Sequence, residues 1–292
     1  MYLTMNLIIT FFFLFFVFLF GLIPFPLLYL FSDFIRFILQ RVVGYRKEVI
    51  TKNLKSSFPD ASEEEFKKMV SDVYRNLADV TVEGIKAFSM TPSQVRKRHR
   101  IVNPELIDTF LDQGKSVIAV PAHFNNWEWG SLSPGLFTKY PIIALYKPLS
   151  NKYIDRFVKW SRSKFGTTLA SIYKTGLLFE RNANKPSIYI MAADQSPTNA
   201  KKSIWVQFMN RDTAFLHGPE KYAQLYNMPV LYGDVQRVKR GYYTLEISVL
   251  AENPLELPEG EITKRYANKL EELIRKNPGS WLWSHRRWKL TR

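Results

Sequence analysis

The chain has no cysteine. Disulfides, thiolate nucleophiles and zinc–sulfur sites are therefore excluded. It also lacks a GxGxxG or Walker-type phosphate loop, a GxSxG serine elbow and an HExxH metal pair. Those absences argue against a nucleotide-driven enzyme, an α/β-hydrolase triad and a zincin-type metal site. Histidine is scarce, with four in 292 residues: His99, His123, His217 and His285. Acidic residues are few beside basic ones, 26 against 41, for a net charge of +15. So basic a balance predicts an anionic partner: nucleic acid, an anionic membrane surface, a phosphorylated substrate or an acidic protein.

The other conspicuous absence is charge at the N-terminus. Residues 1–32 carry none, and the apolar stretch from Leu7 to Phe31 is broken only by Thr10, Gly21, Pro24 and Pro26. It is long enough to cross a hydrocarbon core of roughly 30 Å. A cleaved signal peptide fits poorly, because there is no basic n-region and no small-residue cleavage site. The prolines leave both a spanning helix and a bent, re-entrant anchor open. Between Asp33 and Lys55 stand Arg36, Arg41, Arg46, Lys47, Lys52 and Lys55, against Asp33 and Glu48 alone. Positive flanks stay cytoplasmic, so the body of the protein is expected on the cytoplasmic face. Phe34, Ile35, Phe37, Ile38 and Leu39, interleaved with Arg36 and Arg41, read either as an interfacial segment or as the first helix of the domain.

Beyond the anchor, Ser62-Glu63-Glu64-Glu65 is a capping box. It opens a helix with Phe66, Met69, Val70, Val73, Leu77 and Val80 on one face. Thr91-Pro92-Ser93-Gln94 marks a second helix start, and the basic run Arg96–Arg100 that follows reads as a solvated face or a lipid-phosphate contact. From Lys115 onward, strand candidates alternate with helices. The strands are Ser116–Val120, Pro141–Tyr146, Ser187–Ala192, Ile204–Phe208, Val230–Val235 and Tyr243–Val249. The helices lie around Trp127–Phe137, Tyr153–Phe165, Thr175–Asn182, Pro219–Tyr226 and Ile262–Lys276. This predicts an α/β fold: a mixed, mostly parallel sheet covered by helices, behind an N-terminal membrane-anchor helix. The last two strands, joined across Lys239-Arg240-Gly241, should form an antiparallel hairpin. The expected organisation is an anchor at 1–32 and a domain at 33–292, with a helical 33–110 segment packed on the α/β core.

His123 is the one histidine with a carboxylate at short fixed spacing and a strand before it. A histidine with a carboxylate behind it can take a proton from a hydroxyl near neutral pH. On one continuous helix, residues five apart point about 140° away from each other. His123 and Glu128 can therefore meet only if a helix starts between them, at a strand-to-helix junction of the kind where α/β sites form. With no protein nucleophile in view, a substrate hydroxyl would attack, His123 would act as base and Glu128 would orient it. Asn125, Asn126 or nearby backbone N–H groups are the candidate donors to an oxyanion.

His123 to Glu128, behind an apolar N-terminus on a basic domain, resembles the HX4D/E motif of lysophospholipid acyltransferases. More narrowly, the chain resembles the late acyltransferases of lipid A biosynthesis, the lauroyl/myristoyl transferase family. Asn53-Leu54 with Phe58-Pro59, Asn126-Trp127-Glu128, Tyr146-Lys147-Pro148, Arg162 with Gly166, Asp194-Gln195, and Trp281 through Lys289 resemble successive blocks of that family. The resemblance implies transfer of a fatty acyl chain from an acyl-carrier-protein or coenzyme A thioester to a hydroxyl of a lipid A precursor. The alternative is the same transfer onto another membrane lipid: a glycolipid, phospholipid or amino-acid-containing lipid. Carried over residue by residue, it implies His123 and Glu128 as catalytic, and Asn126, Lys147, Arg162, Asp194 and Gln195 as substrate-binding. It implies no metal and no tightly bound cofactor. It also implies acyl carrier protein, a phosphorylated lipid acceptor and the membrane as partners, without nucleic acid, at the cytoplasmic face of a bacterial inner membrane. Lys147 stands where arginine is usual, so a bidentate phosphate contact there is lost. Asn125 stands where the family often has glycine.

Overall fold

A computed structural model describes residues 2–182 and 184–292. Five helices come first: α1 (Tyr2–Leu22), α2 (Phe25–Phe37), α3 (Lys47–Ser57), α4 (Glu63–Ala87) and α5 (Pro92–Arg98). Strand β1 (His99–Ile101), helix α6 (Glu105–Leu111), strand β2 (Val117–Pro121) and the single turn α7 (Trp127–Gly130) follow. Next are β3 (Ile142–Tyr146), α8 (Lys152–Ser163), β4 (Thr167–Ser171), α9 (Thr175–Arg181) and β5 (Ile188–Ile190). The chain ends with β6 (Ser203–Phe208), β7 (Arg211–Leu216), α10 (Gly218–Tyr226), β8 (Val230–Lys239), β9 (Tyr242–Ala251) and α11 (Glu261–Lys276).

The N-terminal apolar run is two helices rather than one. The chain breaks after Leu22, and α2 restarts with proline in its first turn, where the missing N–H costs nothing. The unpaired carbonyls at the end of α1 are met by the Lys86 ammonium, 2.6 Å from Gly21 O and 2.8 Å from Ile23 O. The two helices differ in surroundings. On α1 most apolar side chains point away from the protein, with Phe11 67% and Phe18 62% exposed, so it is a candidate anchor. On α2, Leu28 and Ser32 are fully buried, and the Ser32 hydroxyl donates to Asp79 on α4 at 2.6 Å. The expected boundary at residue 32 thus falls inside a helix that belongs to the domain.

Seven strands form the main sheet in the order β1-β9-β8-β2-β5-β3-β4. Every adjacent pair is parallel except the β8–β9 hairpin, which turns at Arg240-Gly241 as the sequence predicts. The capping box at Ser62–Glu65 is present, and the helix start at Thr91 carries a second one, with Gln94. Three expectations are corrected. Ile204–Phe208 is strand, but it pairs with β7 in a separate two-stranded sheet. The segment 33–110 is not purely helical, because His99–Ile101 joins the sheet edge beside β9. The helix expected over 127–137 stops after Gly130, and a 3-10 turn at Pro134–Leu136 replaces the rest.

That edge strand also decides the basic run. His99 is fully buried, its Nδ1 is 2.8 Å from the Ser133 hydroxyl, and burial pulls its pKa down to about 4. Arg98 lies over the Phe25 ring at 3.4 Å and donates to Gly241 O. These two residues are therefore framework, while Arg96, Lys97 and Arg100 are exposed, as the solvated-face reading expects.

Candidate active site

Strands β2, β5 and β3 are neighbours and parallel, so their C-terminal ends lie side by side. In open α/β sheets ligands bind at that edge. His123 follows β2, Asp194 follows β5 and Lys147 follows β3. Three segments far apart in sequence are thus brought together by topology.

His123 sits in the loop between β2 and α7, with Glu128 in the first helical turn, as the five-residue spacing requires. Asn125 makes the loop turn, with φ of +51°. Asparagine and glycine tolerate that left-handed region best, so Asn125 can hold this turn. The C-terminal segment clamps the loop from the other side. Phe124 bridges to Trp281, Asn125 N–H donates to Ser280 O at 2.8 Å, and Leu282 N–H donates to His123 O at 3.1 Å.

The carboxylate on the imidazole is Asp194. Its Oδ1 lies 2.7 Å from His123 Nδ1, and its Oδ2 accepts the His123 backbone N–H and Trp281 Nε1–H, both at 3.0 Å. This corrects two expectations. Glu128, expected to orient the ring, instead receives Arg162 Nη2 at 2.8 and 3.1 Å. Asp194, expected on substrate, is 2% exposed and turned wholly to His123 and Trp281. The reason is reach: β5 delivers Asp194 directly beneath the His123 loop, whereas α7 carries Glu128 out toward α8.

The electrostatics agree with the geometry. Burial pushes the Asp194 carboxyl up, but the His123 charge and the converging N–H donors outweigh it and hold the pKa at about 2. For His123, burial is the largest single influence and pulls the pKa down. Asp194, by charge and hydrogen bond, and then Glu128, by charge, together reverse it, so the ring titrates above its ordinary value. With Nδ1–H given to Asp194, Nε2 is the free base, 22% of the side chain is exposed, and Gln195 Nε2 stands 3.2 Å away. Trp127 meets the ring edge-on at 5.3 Å between centroids.

Neither asparagine side chain is free for a substrate. Asn126 is fully buried; it donates to Glu83 Oε2 at 2.7 Å and caps α7 by accepting Trp129 N–H at 2.9 Å. Its expected substrate contact is thereby corrected to a structural one. Asn125 donates to Val235 O at 2.7 Å. Lys147 is exposed at the cleft beside Arg162. Gln195, expected on substrate, stands 3.2 Å from His123 Nε2.

The sequence reading missed Glu83, Trp127 and Trp281 as parts of the site. Glu83 is fully buried on α4 and accepts Tyr29 Oη–H at 2.7 Å, Tyr243 Oη–H at 2.8 Å and Asn126 Nδ2–H at 2.7 Å. Its backbone carbonyl accepts Trp129 Nε1–H at 2.9 Å. It therefore holds both ends of α7. The available signal was a pair of acids one helical turn apart, Asp79 and Glu83, among the apolar Val80, Val82 and Ala87.

Two cavities open from this point. The first, about 230 Å³, runs along the sheet from His123, Glu128 and Arg162 to Ile101, Ile107 and Phe137, over Ile190, Leu231 and Ile247. Its walls beyond the polar end are apolar. The second, about 340 Å³, lies between α4 and α8 and shares Trp127, Glu128, Tyr146 and Arg162 with the first.

The family model for bacterial lipid A biosynthesis acyltransferases matches residues 1–290. The chain is 26% identical over 271 residues to the lipid A biosynthesis palmitoleoyltransferase of Escherichia coli (strain K12), covering 91% of this chain and 86% of that protein. It is equally similar, 26% over 271 residues, to the lipid A biosynthesis acyltransferase of Shigella flexneri. It is 24% identical over 272 residues to the lipid A biosynthesis lauroyltransferase of E. coli (strain K12), covering 91% of this chain and 87% of that one. With the match running nearly end to end, the chain belongs to the bacterial lipid A biosynthesis acyltransferase family.

Proposed function

We propose that the protein transfers a fatty acyl chain from a thioester, carried by acyl carrier protein or coenzyme A, to a hydroxyl of a lipid A precursor. The observation that carries the reading is the His123–Asp194 pair at the mouth of an apolar cavity. The cavity suits a hydrocarbon chain, whose burial is favourable by about 0.8 kcal/mol per CH₂. Seating the chain there brings the thioester carbonyl to the polar end, beside His123 Nε2.

The acceptor hydroxyl then gives its proton to His123 Nε2 as its oxygen bonds to the thioester carbon. Asp194 stabilises the imidazolium that forms and keeps Nε2 as the basic nitrogen. When the tetrahedral intermediate collapses, the C–S bond breaks, the thiolate takes the proton back from His123, and ester and thiol leave. Gln195, which stands on Nε2 before substrate arrives, is displaced by the hydroxyl and becomes a donor to the oxyanion. Glu128 and Arg162 line both cavities; Arg162 and Lys147 offer positive charge to acceptor phosphate.

The apolar α1 holds the domain at the cytoplasmic face of the inner membrane, where the +15 charge suits an anionic surface, a phosphorylated lipid and an acidic carrier protein alike. The test is mass spectrometry of products from the purified full chain supplied with acyl thioester and lipid A precursor. A product heavier by one acyl chain, absent with His123→Ala, is the expected result. Acylation of a different lipid with lipid A precursor untouched would move the assignment to that lipid; undiminished transfer by His123→Ala would remove the base.

A further inference from the structure

The cleft between α4 and α8 has features the reaction at His123 does not by itself require. His123 lines the sheet cavity but not the cleft, while Trp127, Glu128, Tyr146 and Arg162 line both. The two spaces therefore converge on one polar partition, the Glu128–Arg162 ion pair. A transfer between two lipidic substrates needs two apolar approaches to one base. The cleft wall is apolar where α4 and α8 face each other, through Leu77, Ile85, Phe88 and Val158, and cationic at Lys147 and Arg162. The end at Phe88 abuts the apolar N-terminal helix: Phe13 of α1 packs edge-on against both Phe88 and Phe157, at 5.8 Å in each case. Phe88 thus joins the apolar surface of α1 to the wall of the cleft.

The partition is set by close packing. Gly84 faces Glu128, and a Cβ added there would stand 3.3 Å from Glu128 Cγ, tighter than ordinary contact. A side chain at residue 84 would push Glu128 aside by a few tenths of an ångström.

We propose that the α4–α8 cleft receives one of the acceptor lipid's own hydrocarbon chains, entering along α1, so that the acceptor's polar part stops at Lys147, Arg162 and Glu128. The proposal rests on the reading that the protein acylates a lipid hydroxyl. Its occupant is the acceptor, because the donor chain has the sheet cavity.

Thr81 is exposed at the cleft rim, so a bulky side chain there can be carried without disturbing the core. The experiment measures initial rates with the full-length protein in detergent micelles, varying lipid A precursor and acyl thioester separately, for wild type, Thr81→Trp and Thr81→Ser. Thr81→Trp is expected to raise KM for the lipid precursor by about tenfold, with KM for the thioester within twofold of wild type and Thr81→Ser like wild type. Photolabelling of wild type with a lipid A precursor bearing a diazirine in its hydrocarbon chain should mark residues between Leu77 and Phe88 or on α8. An unchanged precursor KM in Thr81→Trp, or label confined to residues away from these two helices, overturns the proposal. If wild type acylates no lipid at all, the functional reading has failed instead, and the two failures are distinct.

Discussion

Asp194 and Glu83 are both buried carboxylates within the architecture of one loop, yet they come to opposite states. Burial pushes each upward. For Asp194 the opposing partners include the chargeable imidazole of His123, and the carboxyl settles at about 2. For Glu83 the hydrogen-bond donors are two phenols and an amide, all neutral; Arg237 lowers and Asp79 raises, and the carboxyl ends at about 7. A buried acid stays ionised when a cation can form on its partner, and approaches neutrality when its donors carry no charge. The difference suits two tasks. In the proposed reaction Asp194 would stabilise a charge that appears and disappears during turnover, whereas Glu83 fixes Asn126 and so the start of the helix bearing Glu128.

Substitutions can break this contrast, beginning with the largest effect. His123→Ala should lower acyl transfer by about 10³-fold or more, and should lower the thermal melt as well, because the buried Asp194 carboxylate loses its Nδ1–H partner. Asp194→Asn should cost about 10²- to 10³-fold in kcat. Its amide must either point N–H at the two donors now on Oδ2 or face Nδ1 and force the other tautomer. Glu83→Ala should destabilise the fold by about 3 kcal/mol, seen in denaturant titration, because it strands Tyr29, Tyr243 and Asn126 without an acceptor. Glu83→Gln should stay within about 1 kcal/mol of wild type, since Tyr29 can turn from donor to acceptor. The pH dependence sharpens the point. A folded-state pKa raised from 4.5 to about 7 gives stability that is full below 4.5 and lost as pH rises through 7. Glu83→Gln should flatten that loss in melts taken from pH 5 to 8. The smallest effect belongs to Lys147→Arg, which should lower the acceptor KM by about two- to threefold at low salt, because an exposed cation contributes little.

The sheet and the loop were legible because they follow from local pattern. The apolar runs at Val117–Val120 and Ile142–Tyr146 and the five-residue spacing placed His123 before a helix start, where it is found. The orienting acid was not legible. Asp194 lies 71 residues from His123 and meets it only because β5 pairs with β2. Spacing offered Glu128, which is near enough to raise the His123 pKa by charge but is bound to Arg162. Glu83 escaped for a like reason, since its partners come from α2, β9 and the loop before α7. Short edge strands such as β1 and β4 escaped because they carry little of the hydrophobic patterning that marks a central strand.

We propose that Asp194, rather than Glu128, governs the titration and tautomer of the imidazole at His123. This is tested most directly by the pH profile of kcat/KM for acyl transfer in wild type, Asp194→Asn and Glu128→Gln. The base must be neutral to act, so wild-type activity should fall on the acid side through a pKa above the ordinary histidine value of 6.5. In Asp194→Asn burial is left less opposed, and that acid limb should move to lower pH along with the loss in rate. In Glu128→Gln the limb should move much less. A limb that stays in place in Asp194→Asn and shifts fully in Glu128→Gln would mean that Glu128, not Asp194, governs the imidazole.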